Sequence, residues 1–232
     1  MLFKYMDYSD KLNKYKIMFQ LGGLTEGRIV NLYFIRHGES YHNLNKKNKN
    51  IFDSPLTNNG ITQSTNLYKN ILDIKPDLIY TSPLRRTLQT LFYSLLNQIN
   101  TKIPIIIDDN VREFNRGRPC DFRHNKDQII KYTKLFNYNN IDYTNISNDL
   151  NSNKRESFEN IHGRVLAWLE GIKTYIKDKP HIQNIVVYSH VFFIRTALDY
   201  LSKKIKKNGT CDLSKDISNG IVCAHVYSVD LT

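Results

Sequence analysis

The 232-residue sequence has only three cysteines and no run of about 18 consecutive apolar residues. Cys120, Cys211 and Cys223 are odd in number and have no short metal-ligand spacing, which argues against a disulfide framework and a zinc ribbon. The N-terminal region carries aspartates and lysines where a signal peptide would have an unbroken apolar core. We therefore expect a soluble, cytoplasmic protein without a membrane span.

Two common phosphate-handling motifs are also missing. No cysteine begins a C-x5-R loop, because the sixth residues after the three cysteines are Lys126, Ile217 and Val229. The sequence has no G-x-x-x-x-G-K-[ST] loop either. The aspartates and histidines form no short ligand pair, so we expect neither a metal nor a cofactor.

The chain is strongly basic, with a formal net charge of +11 and a pI of about 9.4. Such a charge is compatible with nucleic acid, an acidic membrane or a phosphorylated metabolite. However, the lysine clusters at 46–49 and 203–207 lie beside asparagines and are not interleaved with aromatic residues that could stack on bases. A general bias toward lysine explains the charge equally well, so nucleic acid is not the favoured partner.

Strand-like and helix-like segments alternate along the chain. This alternation predicts a three-layer α/β/α sandwich with a largely parallel central sheet. We expect strands at 28–35, 77–82, 103–108, 184–189 and 221–229, and helices at 58–74, 83–99, 157–177 and 191–204. Residues 28–232 are expected to form the domain and residues 1–27 an extension of uncertain order. The asparagine-rich stretch 137–153 has no period and is predicted to be a loop or mobile cover.

Arginine, histidine and glutamate residues follow shortly after four of the predicted strands. In a parallel sheet the carboxyl ends of the strands meet at one edge, where ligands bind. Any one of these residues is more often a surface or capping residue, but the combination indicates chemistry at a single site. The residues are Arg36 and His37, Arg85 and Arg86, Arg112 and Glu113, and His190.

This set matches the needs of phosphoryl transfer through a histidine. A phosphate dianion requires fixed positive charge, which the guanidinium groups of Arg36 and Arg86 would supply. A neutral imidazole can attack phosphorus, and we assign that role to His37. His190 would donate hydrogen bonds to the equatorial oxygens. The leaving alkoxide needs a proton, which Glu113 would provide as a general acid.

Several motifs occur in the order typical of one family. The sequence contains RHGES followed by Asn43, then SPLRRTLQT, VRE, ESFENIHGRVLAWL and VVYSH. Together they resemble the histidine phosphatase superfamily, branch 1, with its phosphoglycerate mutase-like fold. The resemblance implies that His37 is phosphorylated, that Arg86 rather than Arg85 binds phosphate, and that Asn43 contacts it too. The stretch DSPLTNNGITQ, residues 53–63, fits the family as a structural loop and helix start.

The chain departs from the family pattern at two places. Val191 and Phe192 follow the second histidine, where a small residue is usual. After Glu113, the stretch FNRGRPCDFR resembles a subgroup with a PCD.R segment. Three arginines in or next to this stretch either bind a second anionic group or pair with Asp121 and Asp127, and the two alternatives stand equal. They are Arg116, Arg118 and Arg123.

Hydrolysis is the favoured reaction, because this stretch replaces the tyrosine- and glycine-rich substrate segment of a phosphoglycerate mutase. We expect a phosphatase that acts on a phosphorylated small molecule or phosphopeptide of unknown identity. Phosphoglycerate mutase-type transfer is one alternative. A noncatalytic phosphate- or nucleic-acid-binding member of the fold is another.

Overall fold

The computed structural model describes residues 29–95, 102–149, 153–204 and 225–230. In these ranges the strands are β1 Ile29–Arg36, β2 Leu78–Thr81, β3 Ile105–Ile107, β4 Ile141–Asp142, β5 Asn184–Ser189 and β6 His225–Asp230. The α-helices are α1 Tyr41–Leu44, α2 Asn58–Asn66, α3 Tyr68–Ile74, α4 Arg85–Leu95, α5 Lys126–Thr133, α6 Phe158–Ile176 and α7 Val191–Lys204. The predicted extension 1–27, Cys211 and Cys223 lie outside the described residues.

The strands form one sheet in the order β4-β3-β2-β5-β1-β6. The first five strands of that order pair in parallel, and β6 pairs antiparallel with β1 at the edge. Apolar helices cover both faces, which confirms the predicted three-layer sandwich with a largely parallel sheet. No helix in the described ranges is both long and apolar enough to cross a membrane.

The core lies on both sides of the sheet because β1 alternates its side chains between two faces. Leu32 and Phe34 pack in the cluster that includes α6 and α7, whereas Ile35 packs in the cluster that includes α3 and α4. Trp168 of α6 is buried against Phe34, with ring centroids 5.9 Å apart. The strand therefore has no solvent-exposed face, as expected of a central parallel strand.

The register of the two central strands sets the position of the site. In the β1–β5 pair, Arg36 lies opposite Ser189. The backbone amide of His37 donates a hydrogen bond of 3.1 Å to the Ser189 carbonyl, which continues the ladder by one step. His37 and His190 consequently leave neighbouring strands at the same level.

Two sequence predictions need correction. The helix predicted at 58–74 is two helices, α2 and α3, which meet at Leu67. The stretch 137–153 is not only a loop, since β4 pairs with β3 at the sheet edge and Ile146 is buried in the core. The few apolar residues of this stretch therefore hold it against the sheet, although its asparagines give no periodic pattern from which a strand could be predicted. Residues 150–152 lie outside the described residues.

Helix α2 packs so closely against the loop after β1 that neither Gly38 nor Gly60 has room for a side chain. A Cβ atom on Gly38 would lie 2.7 Å from the Gly60 carbonyl oxygen, and one on Gly60 would lie 1.9 Å from the Glu39 carbonyl oxygen. The side-chain oxygen of Gln63 also accepts a 2.8 Å hydrogen bond from the Glu39 amide. Residues of the DSPLTNNGITQ stretch thus brace the loop that carries His37, beyond shaping their own turn.

Gly60→Ala should destabilise the fold, because the added methyl must displace backbone atoms. We expect a loss of about 1–3 kcal/mol in the free energy of unfolding, measured by urea denaturation. Gly163→Ala is the matched control, since nothing lies within 4 Å of a Cβ at that position in α6. That substitution should gain up to about 1 kcal/mol from helix propensity. Equal effects of the two changes would contradict the proposed close packing.

Candidate active site

His37 and His190 face each other at the carboxyl ends of β1 and β5. Both side chains are buried, and their ring centroids are 5.1 Å apart at an interplanar angle of 56°. The Nδ1 atom of His37 lies 2.7 Å from the Gly38 carbonyl oxygen. Because a carbonyl only accepts hydrogen bonds, Nδ1 must carry the proton. The lone pair of His37 is therefore on Nε2.

Both imidazoles are held in the neutral form. Burial lowers the pKa of His37 well below its usual range, and the positive charges of Arg86 and Arg36 lower it further. The Gly38 hydrogen bond opposes this shift only partly. Burial and the charge of Arg86 lower the pKa of His190 in the same way. A neutral His37 retains the lone pair that a nucleophile needs.

His190 is positioned by the end of β2. Its Nε2 atom lies 2.9 Å from the Ser82 hydroxyl, and its Nδ1 atom is buried without a hydrogen-bond partner among the described residues. A buried polar atom without a partner is costly unless a ligand completes it. Among the described residues, Nδ1 of His190 is therefore left available for a further hydrogen bond.

Arg86 supplies a fully buried guanidinium in the first turn of α4. Its Nη1 atom donates a 2.6 Å hydrogen bond to the Cys120 carbonyl, and its Nη2 atom lies 3.9 Å from an Asp121 carboxylate oxygen. The Nε and Nη2 atoms have no hydrogen-bond partner among the described residues. Asp53 fixes the helix start, because its carboxylate accepts a 2.8 Å bond from the Arg85 amide. Arg86 therefore offers two buried donors to an anion.

Arg36 ends β1, and its side chain is half-buried. Its charge contributes to the lowered pKa values of both His37 and His190. The pKa of His190 is therefore influenced by three other predicted site residues, Arg36, His37 and Arg86, so all four lie in one region. The structure brings together the ends of β1, β2 and β5.

Glu113 reaches the same region from the chain after β3. Its Oε1 atom accepts hydrogen bonds from the amides of Phe114, at 2.8 Å, and Phe192, at 3.2 Å. Burial raises the pKa of Glu113, although the charge of Arg86 and the two amide bonds oppose the rise. The carboxyl group is thus oriented through one oxygen and disposed to hold a proton.

The sequence of this chain is similar to a known protein family. Residues 32–213 match the family described as histidine phosphatase superfamily (branch 1). The chain belongs to this superfamily. The 2,3-bisphosphoglycerate-dependent phosphoglycerate mutase 1 of Arabidopsis thaliana is 26% identical over 222 residues, covering 84% of this chain. The alignment covers 64% of that mutase, so the chain spans less than two thirds of this relative.

Solved structures of mutases and phosphatases share the fold of this histidine phosphatase superfamily member. The phosphoglycerate mutase of Bacillus anthracis has a TM-score of 0.54 at 20% identity, covering 79% of this chain and 85% of the mutase. The alpha-ribazole phosphatase of Shigella flexneri has a TM-score of 0.50 at 26% identity, covering 74% and 79%. The family match over residues 32–213 shows the superfamily, and the similar proteins include both mutases and phosphatases.

A third imidazole lies beside the two predicted histidines of this superfamily member. The ring of His42 is 5.6 Å from that of His37, and burial followed by the charge of Arg86 lowers its pKa well below the usual range. Sequence reasoning missed His42, although its place on α1, five residues after His37, was a usable signal. Asn43 is exposed, and its side-chain oxygen caps α1 by accepting a 3.0 Å bond from the Ser40 amide. Its predicted phosphate contact stays a prediction.

A half-buried ion pair positions the backbone of Glu113. Arg164 of α6 makes two hydrogen bonds to Glu156, at 2.7 and 2.9 Å, and its Nη2 atom donates to the Glu113 carbonyl at 3.3 Å. The Glu156 carboxylate also accepts a 2.9 Å bond from the Asn115 amide. Both ionic residues belong to the ESFENIHGRVLAWL motif, which had no assigned chemistry at the sequence level.

The arginines predicted either to bind a second anionic group or to form ion pairs make different contacts. Arg123 is fully buried and pairs with Asp109, with Nε 2.8 Å from one carboxylate oxygen and Nη2 2.9 Å from the other. Arg123 also donates to the carbonyls of Ser147, at 2.8 Å, and Asp149, at 3.3 Å. This contact set favours the structural alternative for Arg123, but with Asp109 as the partner in place of the predicted Asp121 or Asp127.

Two further arginines remain near the surface. Arg116 is exposed, and its guanidinium lies 4.3 Å from the ring centroid of Phe192. Arg85 is not simply solvated, since it is half-buried and its Nη2 atom lies 2.7 Å from Nε2 of His124. The substrate contact considered for Arg118 stays open.

Arg123→Met should destabilise the protein, because it removes a buried partner of the Asp109 carboxylate and takes a donor away from three carbonyls. Within the described residues, that carboxylate then keeps only its contacts with Arg112 and the Ser147 amide. We expect a loss of about 3–5 kcal/mol in the free energy of unfolding, measured by urea denaturation. Arg116→Met, the exposed control, should cost less than about 1 kcal/mol. An Arg123→Met protein as stable as the control, with only its activity reduced, would instead make Arg123 a substrate ligand.

Proposed function

We propose that this protein is a phosphatase that hydrolyses phosphate monoesters through a covalent phosphohistidine on His37. The observation that carries the proposal is the placement of a neutral His37, with its lone pair on Nε2, within a cluster of cationic and buried donor groups. Arg86 contributes two guanidinium nitrogens and His190 one ring nitrogen that have no hydrogen-bond partner within residues 29–95, 102–149, 153–204 and 225–230. Such a group of donors suits the equatorial oxygens of a transferring phosphoryl group.

In the first step, the Nε2 lone pair of His37 forms a bond to phosphorus while the ester P–O bond breaks. Arg36, Arg86 and His190 stabilise the charge that spreads over the phosphoryl oxygens. The leaving oxygen takes the proton of Glu113, whose raised pKa keeps the carboxyl group protonated at higher pH than an ordinary glutamate. The alcohol departs and the phosphohistidine remains.

In the second step, a water molecule attacks the phosphohistidine. Glu113, now a carboxylate, accepts the water proton as the new P–O bond forms and the N–P bond breaks. The electron pair of the N–P bond returns to Nε2 of His37, and inorganic phosphate is released. Both steps use the same carboxyl group in opposite directions, as microscopic reversibility suggests.

Hydrolysis is preferred over phosphoglycerate mutase-type transfer because of the chain that follows Glu113. Phe114 is the next residue and is almost fully buried against Phe158 and Phe192. The three aromatic rings at this position offer no hydrogen-bonding group to a glycerate hydroxyl. The mutase alternative nevertheless has support from the relatives named above. We propose a phosphorylated small molecule or phosphopeptide as substrate, and the cytoplasmic location stays a prediction.

His37→Ala should abolish catalysis. The wild-type protein should release nitrophenol from 4-nitrophenyl phosphate and should carry an acid-labile phosphoryl label on His37 after a rapid quench. The His37→Ala variant should show neither, since the group that attacks phosphorus is gone. His162→Ala is the matched control, because His162 is exposed on α6 and should leave both signals intact.

Retained turnover in His37→Ala would refute the assignment of the nucleophile. Incubation with 3-phosphoglycerate and a trace of bisphosphoglycerate separates the two reaction types. Free phosphate without isomerisation supports the phosphatase, whereas rapid isomerisation would make the protein a mutase. Absence of both the label and phosphate release, together with salt-dependent binding to random duplex DNA, would favour the noncatalytic alternative.

Glu113→Gln should slow the hydrolysis of alkyl esters far more than that of aryl esters. Propyl phosphate leaves as a strongly basic alkoxide that needs the Glu113 proton, so its kcat/KM should fall by about 10²- to 10⁴-fold. Nitrophenolate is weakly basic and needs little protonation. In the wild type, kcat/KM for propyl phosphate should decline as pH rises through the raised pKa of Glu113, and the variant should lack this decline.

Glu170→Gln is the control for that experiment, since Glu170 is an exposed carboxylate on α6 whose side chain contacts Lys173. It should leave both the ester preference and the pH profile unchanged. Equal losses of activity on propyl and nitrophenyl phosphate in Glu113→Gln would show that Glu113 is not the acid.

A further inference from the structure

Three phenylalanines from three different elements converge beside Glu113. Phe114 follows Glu113 in the chain, Phe158 begins α6 and Phe192 lies in the first turn of α7. The rings of Phe114 and Phe158 stack with centroids 5.0 Å apart at 10°, and Phe114 and Phe192 are 5.7 Å apart at 34°. We call these three residues the aromatic strip.

The strip is tied to Glu113 by the hydrogen bonds that orient the carboxyl group. The amides of Phe114 and Phe192 both donate to Oε1 of Glu113. Two of the three rings therefore belong to the residues that hold this carboxyl group in place. In the proposed mechanism, in-line attack by His37 directs the departing oxygen toward Glu113, so these two phenylalanines adjoin the leaving-group side of the reaction.

The strip also exposes apolar surface that a ligand could cover. Phe158 is 62% exposed, although its ring stacks on a Phe114 that is only 9% exposed. Arg116 lies over the ring of Phe192, which makes the end of the strip cationic. A flat apolar group would bury the exposed ring area, whereas a short polar group would find few partners among these rings.

We propose that the aromatic strip binds the leaving group of the substrate and selects phosphate monoesters whose alcohol carries an aromatic ring. This inference rests on the proposed phosphatase function and deepens it. The strip would favour a ring-bearing alcohol, which can cover the exposed ring of Phe158, over a small polar alcohol such as glycerate. Phe192, in the first turn of the helix that follows His190, then helps to determine specificity.

The test compares 3-phenylpropyl phosphate with propyl phosphate. Both release a primary alkoxide of similar basicity, so the difference between them reports the ring. Wild-type kcat/KM should be about tenfold higher for the phenylpropyl ester, the gain expected from burying part of one ring. Phe158→Ala and Phe192→Leu should each reduce that ratio severalfold, and the second variant keeps apolar volume at the start of α7. Leu135→Ala, an exposed apolar control, should leave the ratio unchanged.

Failure of this inference can be distinguished from failure of the proposed function. Equal kcat/KM values for the two esters, or a preference that neither phenylalanine variant alters, would overturn the role of the strip while hydrolysis stands. If the wild type hydrolyses neither ester, the proposed function fails, and titration calorimetry on the same protein then tests the strip. Tighter binding of phenylpropyl phosphate that Phe158→Ala weakens would support it, and equal affinities would overturn it.

Discussion

The buried guanidinium of Arg86 is the constraint on which the site depends. A fixed positive charge in a desolvated pocket needs carbonyl and carboxylate partners, and the Cys120 carbonyl and the more distant Asp121 carboxylate fill only part of that need. The same charge adds to burial in keeping three neighbouring imidazoles neutral. In the part of the chain that the structure describes, the guanidinium keeps two nitrogens without a hydrogen-bond partner, as its proposed role as a phosphate ligand requires.

The same buried environment raises the pKa of the Glu113 carboxyl group, whereas it lowers the pKa values of the imidazoles. The charge of Arg86 favours its ionised form, but burial outweighs that attraction and raises the pKa. The carboxyl group is oriented by amides from two elements, while Arg164 and Glu156 brace its backbone from α6. A carboxyl group with a raised pKa and imidazoles with lowered pKa values therefore coexist in one cationic pocket, which is the combination required by the proposed chemistry.

Much of the fold could be predicted because strand periodicity and helix periodicity are local properties. Residues 184–189 and 191–204 form the expected elements with the expected bounds. The ends of the central strands were equally readable, because a charged residue after a buried run stands out. The partners of Arg123 could not be predicted, since Asp109, Ser147 and Asp149 meet it only after β3 and the asparagine-rich stretch have folded. The close approach of Gly38 and Gly60 likewise depends on tertiary packing, and the sequence suggested only a turn.

Because Arg36 pairs with Ser189, the relative position of His37 and His190 depends strictly on the number of residues in β1 and β5. It depends much less on which aliphatic side chains these strands carry. The aliphatic residues of β1 and β5 could be exchanged for one another with modest repacking. An insertion or deletion of a single residue in either strand would turn one of the two rings toward the opposite face of the sheet. Natural variants should therefore differ in the aliphatic residues of these two strands. They should keep the same number of residues in each strand up to the Arg36–Ser189 pair.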